Sequence, residues 1–91
     1  MFITFDPTKR ALTLQARDLD MAESVLIFAG THLTVPDDRK DHGEPRFITF
    51  GTLDGRMVVA VWTQRGDTRR IISLRKANDR EQATHGPSLR P

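Results

Sequence analysis

The stretch that decides the fold runs Arg46-Phe47-Ile48-Thr49-Phe50-Gly51-Thr52-Leu53, Asp54-Gly55, Arg56-Met57-Val58-Val59-Ala60-Val61-Trp62-Thr63-Gln64-Arg65, Gly66-Asp67, Thr68-Arg69-Arg70-Ile71-Ile72-Ser73-Leu74-Arg75. Three runs rich in β-branched and aromatic residues are separated by two-residue breaks, each holding a glycine. Asp-Gly between apolar runs signals a hairpin, because the favoured turn needs positive φ at both central residues. The pattern predicts a consecutive antiparallel meander of strands 46–53, 56–65 and 68–75. Strict alternation in the last strand puts Arg69, Ile71, Ser73 and Arg75 on one face and Arg70, Ile72 and Leu74 on the other. In the middle strand, Met57, Val59, Val61, Thr63 and Arg65 oppose Arg56, Val58, Ala60 and Trp62. Both faces are then apolar at mid-strand, with arginines at the strand ends. One face covers helices, and the other, too apolar for plain solvent, is expected to carry a partner surface.

Outward from the meander the signals are helical. Phe2-Ile3-Thr4-Phe5 reads as a short strand, and Asp6-Pro7 supplies an N-cap followed by proline at the first helical position. A first helix through Lys9 to Arg17 ends at Asp18-Leu19-Asp20. Asp20, with Glu23 in the capping-box position, starts a second helix that stops at Gly30. Leu33-Thr34-Val35 before Pro36 is another short strand, and 37–45 is a polar loop. Asn78 caps a last helix from Asp79 to about His85. The residues 86–91 show no periodicity and are expected to form a frayed, disordered tail after a single domain over 1–85. The fold class is α+β, with helices packed on a mostly antiparallel sheet.

Ninety-one residues suffice for one core and not two. Without cysteine there is no disulfide framework, in keeping with a reducing cytoplasm. The longest clean apolar run, Met57–Trp62, has strand length, so the chain is expected to be soluble and cytoplasmic and to engage no membrane. The net charge of +2 conceals an asymmetry: residues 1–45 hold five Lys/Arg against eight Asp/Glu, and residues 46–91 hold nine against four. All nine but Lys76 are arginines, whose planar fork of donors suits phosphate or carboxylate. A phosphate-bearing partner, an acidic protein partner and a plain solvated face all fit that composition.

Arginines gathered at one rim of the sheet can neutralise charge that develops in phosphoryl transfer. Edge protection accounts for the same residues equally well. Asp37, Asp38, Asp41, His42 and Glu44 lie close in sequence, but their spacing matches no calcium loop or zinc helix, so a solvated acidic loop is expected and no metal or cofactor. His32, His42 and His85 have no nearby Ser or Cys motif for a triad. Trp62 reads as a packing residue rather than a base-stacking one.

The ordered combination of Phe5-Asp6 and Lys9, Asp38-Arg39, Gly43-Glu44-Pro45-Arg46, Gly51, Gly55-Arg56, Arg70-Ile71-Ile72-Ser73-Leu74-Arg75-Lys76-Ala77 and Glu81 resembles the BrnT toxin family, from about Phe2 to Glu81. The resemblance implies a RelE-like ribonuclease fold and RNA cleavage that inhibits translation. It also implies neutralisation by a BrnA-type antitoxin, whose ribbon-helix-helix part would make any DNA contact indirect. The chain departs from the family in three places. Ala16-Arg17-Asp18 stands where relatives have Lys-His-Gly, Phe5 stands for a tryptophan, and the chain has no tyrosine after the last motif.

On this resemblance the expected chemistry is metal-independent attack of a ribose 2′-hydroxyl on the adjacent phosphate. The products are a 2′,3′-cyclic phosphate and a 5′-hydroxyl. Glu44 is the candidate base, Arg46, Arg70 and Arg75 hold the phosphorane, and Ser73 orients it. Arg17, Arg56 and Arg65 are candidate RNA-binding residues. For Glu44 the alternative is a salt bridge to Arg46 or Arg39 that shapes the loop. Two other functions stay open: a degenerate, non-catalytic homologue that keeps only the antitoxin surface, and a plain nucleic-acid-binding module.

Overall fold

Asp54 (φ 50°) and Gly55 (φ 75°) reverse the chain between β3 (Phe47–Leu53) and β4 (Arg56–Arg65), and Gly66 (φ 61°) does so between β4 and β5 (Thr68–Lys76). The turns are where the Gly-containing breaks place them, and the three strands form the expected antiparallel meander. The computed structural model describes residues 2–39 and 43–90. Two short strands complete the sheet at its edges, in the order β1-β5-β4-β3-β2. β1 (Phe2–Phe5) runs parallel to the first half of β5, and β2 (Leu33–Pro36) runs antiparallel to β3. The architecture is α+β.

α1 (Pro7–Arg17) starts as its sequence dictates, with the Asp6 carboxylate accepting from the Thr8 N–H at 2.8 Å and proline in the first turn. It ends on Asp18 in the left-handed conformation, φ 55°. This is the position where the related pattern has glycine, the residue that takes such a conformation without strain. The second helical segment differs from the expected capping box. Met21–Glu23 form a single 3₁₀ turn capped by Asp20, and α2 (Ser24–Ala29) follows.

α1, the 3₁₀ turn and α2 cover one face of the sheet, called here the helical face. Its core joins Leu19, Met21 and Ile27 to Leu53, Val58, Ala60, Trp62, Ile71 and Leu74. α2 approaches closely because Gly51 has no side chain: a Cβ there would stand 2.5 Å from Ile27 Cγ2. The buried Trp62 indole donates to Thr49 Oγ1 at 2.8 Å and stacks against Phe47, which makes it a packing residue.

The opposite face carries a smaller core of Phe50, Val59, Ala77 and Leu89. α3 (Asp79–His85) starts in a full capping box between Asn78 and Glu81. A 3₁₀ turn, Gly86–Leu89, follows. Leu89 is 8% exposed and His85 lies against the Phe50 ring, centroids 4.2 Å apart. Leu89 and His85 pack against the sheet. They also fill part of the apolar second face that the sequence assigns to a partner.

Candidate active site

The face assignment made from strict alternation fails at one residue. Val61 pairs with Ser73 while Trp62 pairs with Ile71, so Ile72 is an extra residue in β5. Beyond this bulge every side chain changes side. Ile71 and Leu74 both point into the helical core. Ser73, opposite Val61, and Arg75, opposite Val59, therefore share the second face with Arg70, opposite Thr63. Three of the candidate residues expected on two faces are thus on one.

The loop before β3 is pinned onto that same face. Thr63 Oγ1 donates to the Pro45 carbonyl at 2.6 Å, and the Asp37 N–H donates to the Arg46 carbonyl at 2.8 Å. Glu44 and Arg46 thereby reach the end of β4 that carries Arg65. The Glu44 carboxylate stands 3.6 Å from Arg65 and 3.9 Å from Arg46, in charge contact but with no close hydrogen bond. Arg46 Nε is buried with no partner among the described residues. Arg70 is half-buried and has no ion pair or hydrogen bond among them, and the Ser73 hydroxyl has none either.

Arg75 and Arg39 are held differently. Arg75 Nη1 and Nη2 donate to the two oxygens of Glu81 at 2.7 and 2.8 Å. Arg39 Nε and Nη2 donate to Asp37 at 2.8 and 3.0 Å. Hydrogen bonding from Arg75 brings the Glu81 carboxyl from 4.5 to about 2, overcoming the opposing effect of burial, and the Asn78 N–H adds to it. The charge of Arg39 acts on Arg75 and that of Glu81 on Arg39, so these groups share one electrostatic neighbourhood. Asp37 is itself buried, which departs from a wholly solvated acidic loop; Asp41 and His42 lie outside the described residues. Arg39 and Glu81 were legible only as motif residues. A carboxylate in the last helix, six residues after Arg75, is the signal for the Arg75–Glu81 pair.

Two RNA-binding candidates are placed elsewhere. Arg56 lies on the helical face and donates to the Asp18 carbonyl at 3.0 Å. Arg17 donates to the Leu74 carbonyl at 2.8 Å, at the edge of β5 that β1 leaves open. Each ties the end of α1 to the sheet. Arg17 and Ser73 both border the groove between α1 and β5.

The chain is a small α+β protein with an arginine-rich face. The family model of the ribonuclease toxin BrnT, of type II toxin–antitoxin systems, matches residues 5–81, and the chain belongs to that family. Membership of a type II system implies an antitoxin partner. A search of curated proteins finds no match. Among the described residues, no helix is long and apolar enough to cross a membrane.

Proposed function

We propose that the protein is a metal-independent endoribonuclease of RelE-like fold that inhibits translation and is neutralised by a BrnA-type ribbon-helix-helix antitoxin. The observation that carries this reading is the set of unsatisfied donors on one face: the buried Nε of Arg46, the whole guanidinium of Arg70, and the Ser73 hydroxyl. A buried donor without an acceptor is unfavourable, and a phosphate oxygen supplies the missing acceptor. The cations are fixed to the sheet before substrate arrives, so little reorganisation accompanies charge development in the transition state.

Glu44 takes the proton of the 2′-hydroxyl, whose oxygen bonds to phosphorus while the bond to the 5′-oxygen breaks. The departing oxygen acquires a proton from solvent, leaving a 2′,3′-cyclic phosphate and a 5′-hydroxyl. Among the described carboxylates that contact these arginines, Asp37 and Glu81 are engaged in paired hydrogen bonds and Glu44 is in charge contact alone. It is the one with a lone pair to offer. Arg65 flanks it and steers the backbone. Incubating the purified chain with a defined single-stranded RNA and excess chelator tests the reading. Cleavage to cyclic-phosphate ends is expected; loss of cleavage with chelator, or 3′-hydroxyl ends, overturns it.

A second reading rests on Arg17. It stands where the resembled pattern has histidine, is permanently protonated, and is held by the Leu74 carbonyl. A chain that forms a stable antitoxin complex yet cleaves no RNA is the degenerate homologue of that reading.

A further inference from the structure

Among the described residues, three arginines are paired with carboxylates through two hydrogen bonds, and they do not use the same edge of the guanidinium. Arg10 and Arg39 present the edge formed by Nε and Nη2, to Asp20 and Asp37 respectively. Arg75 presents its end, Nη1 and Nη2, to Glu81. Nη1 of Arg75 also lies 3.4 Å from the Lys76 carbonyl. Of the five N–H donors an arginine owns, the Nε–H and the second Nη2–H of Arg75 therefore have no acceptor among the described residues. They form a complete second fork, matched to two oxygens of a phosphate. The side chain is 39% exposed.

Glu81 is itself immobilised. Its Oε1 also accepts from the Asn78 N–H at 2.9 Å, and its own N–H donates to Asn78 Oδ1 at 2.8 Å. Ala77, just before the helix, and Leu89, just after it, are buried in the second core. The carboxylate thus transmits the rigidity of a capped, packed helix start to a guanidinium on the neighbouring strand.

We propose that Glu81 is a positioning residue: by occupying the end of Arg75 it fixes the guanidinium plane and presents the Nε–Nη2 edge to a phosphate of the RNA backbone. The proposal rests on the ribonuclease reading for its substrate. Its geometry is independent of catalysis.

Glu81→Gln separates the role from helix capping, because glutamine serves in a capping box while losing the charge that holds Arg75. In the wild type the Arg75 Nε–H resonance is expected to be rigid by heteronuclear NOE and to shift on titration with a short single-stranded oligodeoxynucleotide, which cannot be cleaved. In Glu81→Gln the NOE falls and the shift of that resonance on titration is lost, while the oligonucleotide's affinity stays within about twofold. With RNA, kcat falls about tenfold or more while KM stays within about twofold, the pattern of lost transition-state alignment. In an Arg75→Lys background, where no fork exists, Glu81→Gln adds nothing. A folded Glu81→Gln with wild-type kcat and an unmoved Arg75 NOE overturns the proposal. So does a wild-type Arg75 Nε–H that ignores the oligonucleotide, even if RNA is cleaved. A Glu81-dependent shift in a chain that cleaves no RNA supports the positioning role and removes the ribonuclease reading instead.

Discussion

The two faces of the sheet use arginine in opposite ways. On the helical side the guanidiniums serve packing and the anchoring of α1. Arg10 pairs with Asp20, Arg56 bonds the Asp18 carbonyl, and Arg69 lies over the Phe28 and Trp62 rings at 4.0 and 5.1 Å. Arg69 Nε lacks an acceptor, but its plane is covered by those rings. On the opposite face, among the described residues, Arg70 has no partner, Arg46 Nε is buried without an acceptor, and the Nε–Nη2 edge of Arg75 has none. What distinguishes the two sets is setting rather than charge: the helical-side guanidiniums bond α1 and the turn after it or lie on rings, whereas Arg46, Arg70 and Arg75 line the candidate site. Fourteen basic residues read from a sequence look alike until that setting is known.

The largest expected effect follows from removing an unanswered cation. Arg70→Ala has no protein partner to strand, so its melting temperature should stay within a few degrees of wild type. Its cleavage rate on a defined RNA should fall about a hundred-fold or more, as for loss of one fixed donor in a phosphoryl-transfer site. A rate within a few-fold of wild type would move Arg70 into the structural group and break the comparison.

On the helical side the effects appear in stability. Thr49→Val leaves the buried Trp62 indole N–H without its acceptor and also removes the 2.8 Å contact between the Thr34 and Thr49 hydroxyls. A loss of about 1–3 kcal/mol is expected by chemical denaturation, with RNA cleavage by the folded fraction unchanged. Arg69→Ala removes the cation from the two rings and should cost about 1–2 kcal/mol. If it abolished cleavage without destabilising the chain, the helical face would have a role in catalysis and the comparison would fail.

The smallest effect is a change in pH dependence. The folded-state pKa of Glu81, about 2, lies below its ordinary value of 4.5. The stability it contributes is therefore fully present above about pH 4.5 and is lost as pH falls through 4.5 toward 2. Glu81→Gln should flatten the stability curve of the wild type across that window, measured by urea unfolding at fixed pH steps. An unchanged slope would mean that the Arg75–Glu81 pair is weaker in solution than its geometry suggests.

The meander was legible in the sequence because its turns need positive φ, and Asp54-Gly55 and Gly66 announce it. The bulge was not, because Ile71-Ile72 offers alternation no clue as to which isoleucine is extra. The available signal was Leu74, a large apolar residue three positions after Ile71, which reaches the same core only if one residue is skipped. That single residue decides the site, since it moves Ser73 and Arg75 onto the face of Arg70. The packing of Leu89 was hidden because one leucine among Gly, Pro and Ser carries no period. Arg17 and Arg56 were chosen as RNA-binding candidates for their charge, and charge does not reveal that main-chain carbonyls at the ends of α1 and β5 hold them.

The contrast between the faces is tested most directly by one paired measurement: single-turnover cleavage of the same RNA, with chelator present, by Arg70→Ala and by Arg56→Ala, each compared with wild type at equal folded concentration. Arg70→Ala should lose about a hundred-fold or more in rate at unchanged stability, and Arg56→Ala should melt earlier while its folded fraction cleaves at the wild-type rate. Wild-type cleavage by Arg70→Ala, or an inactive but stably folded Arg56→Ala, would contradict the assignment of the working face.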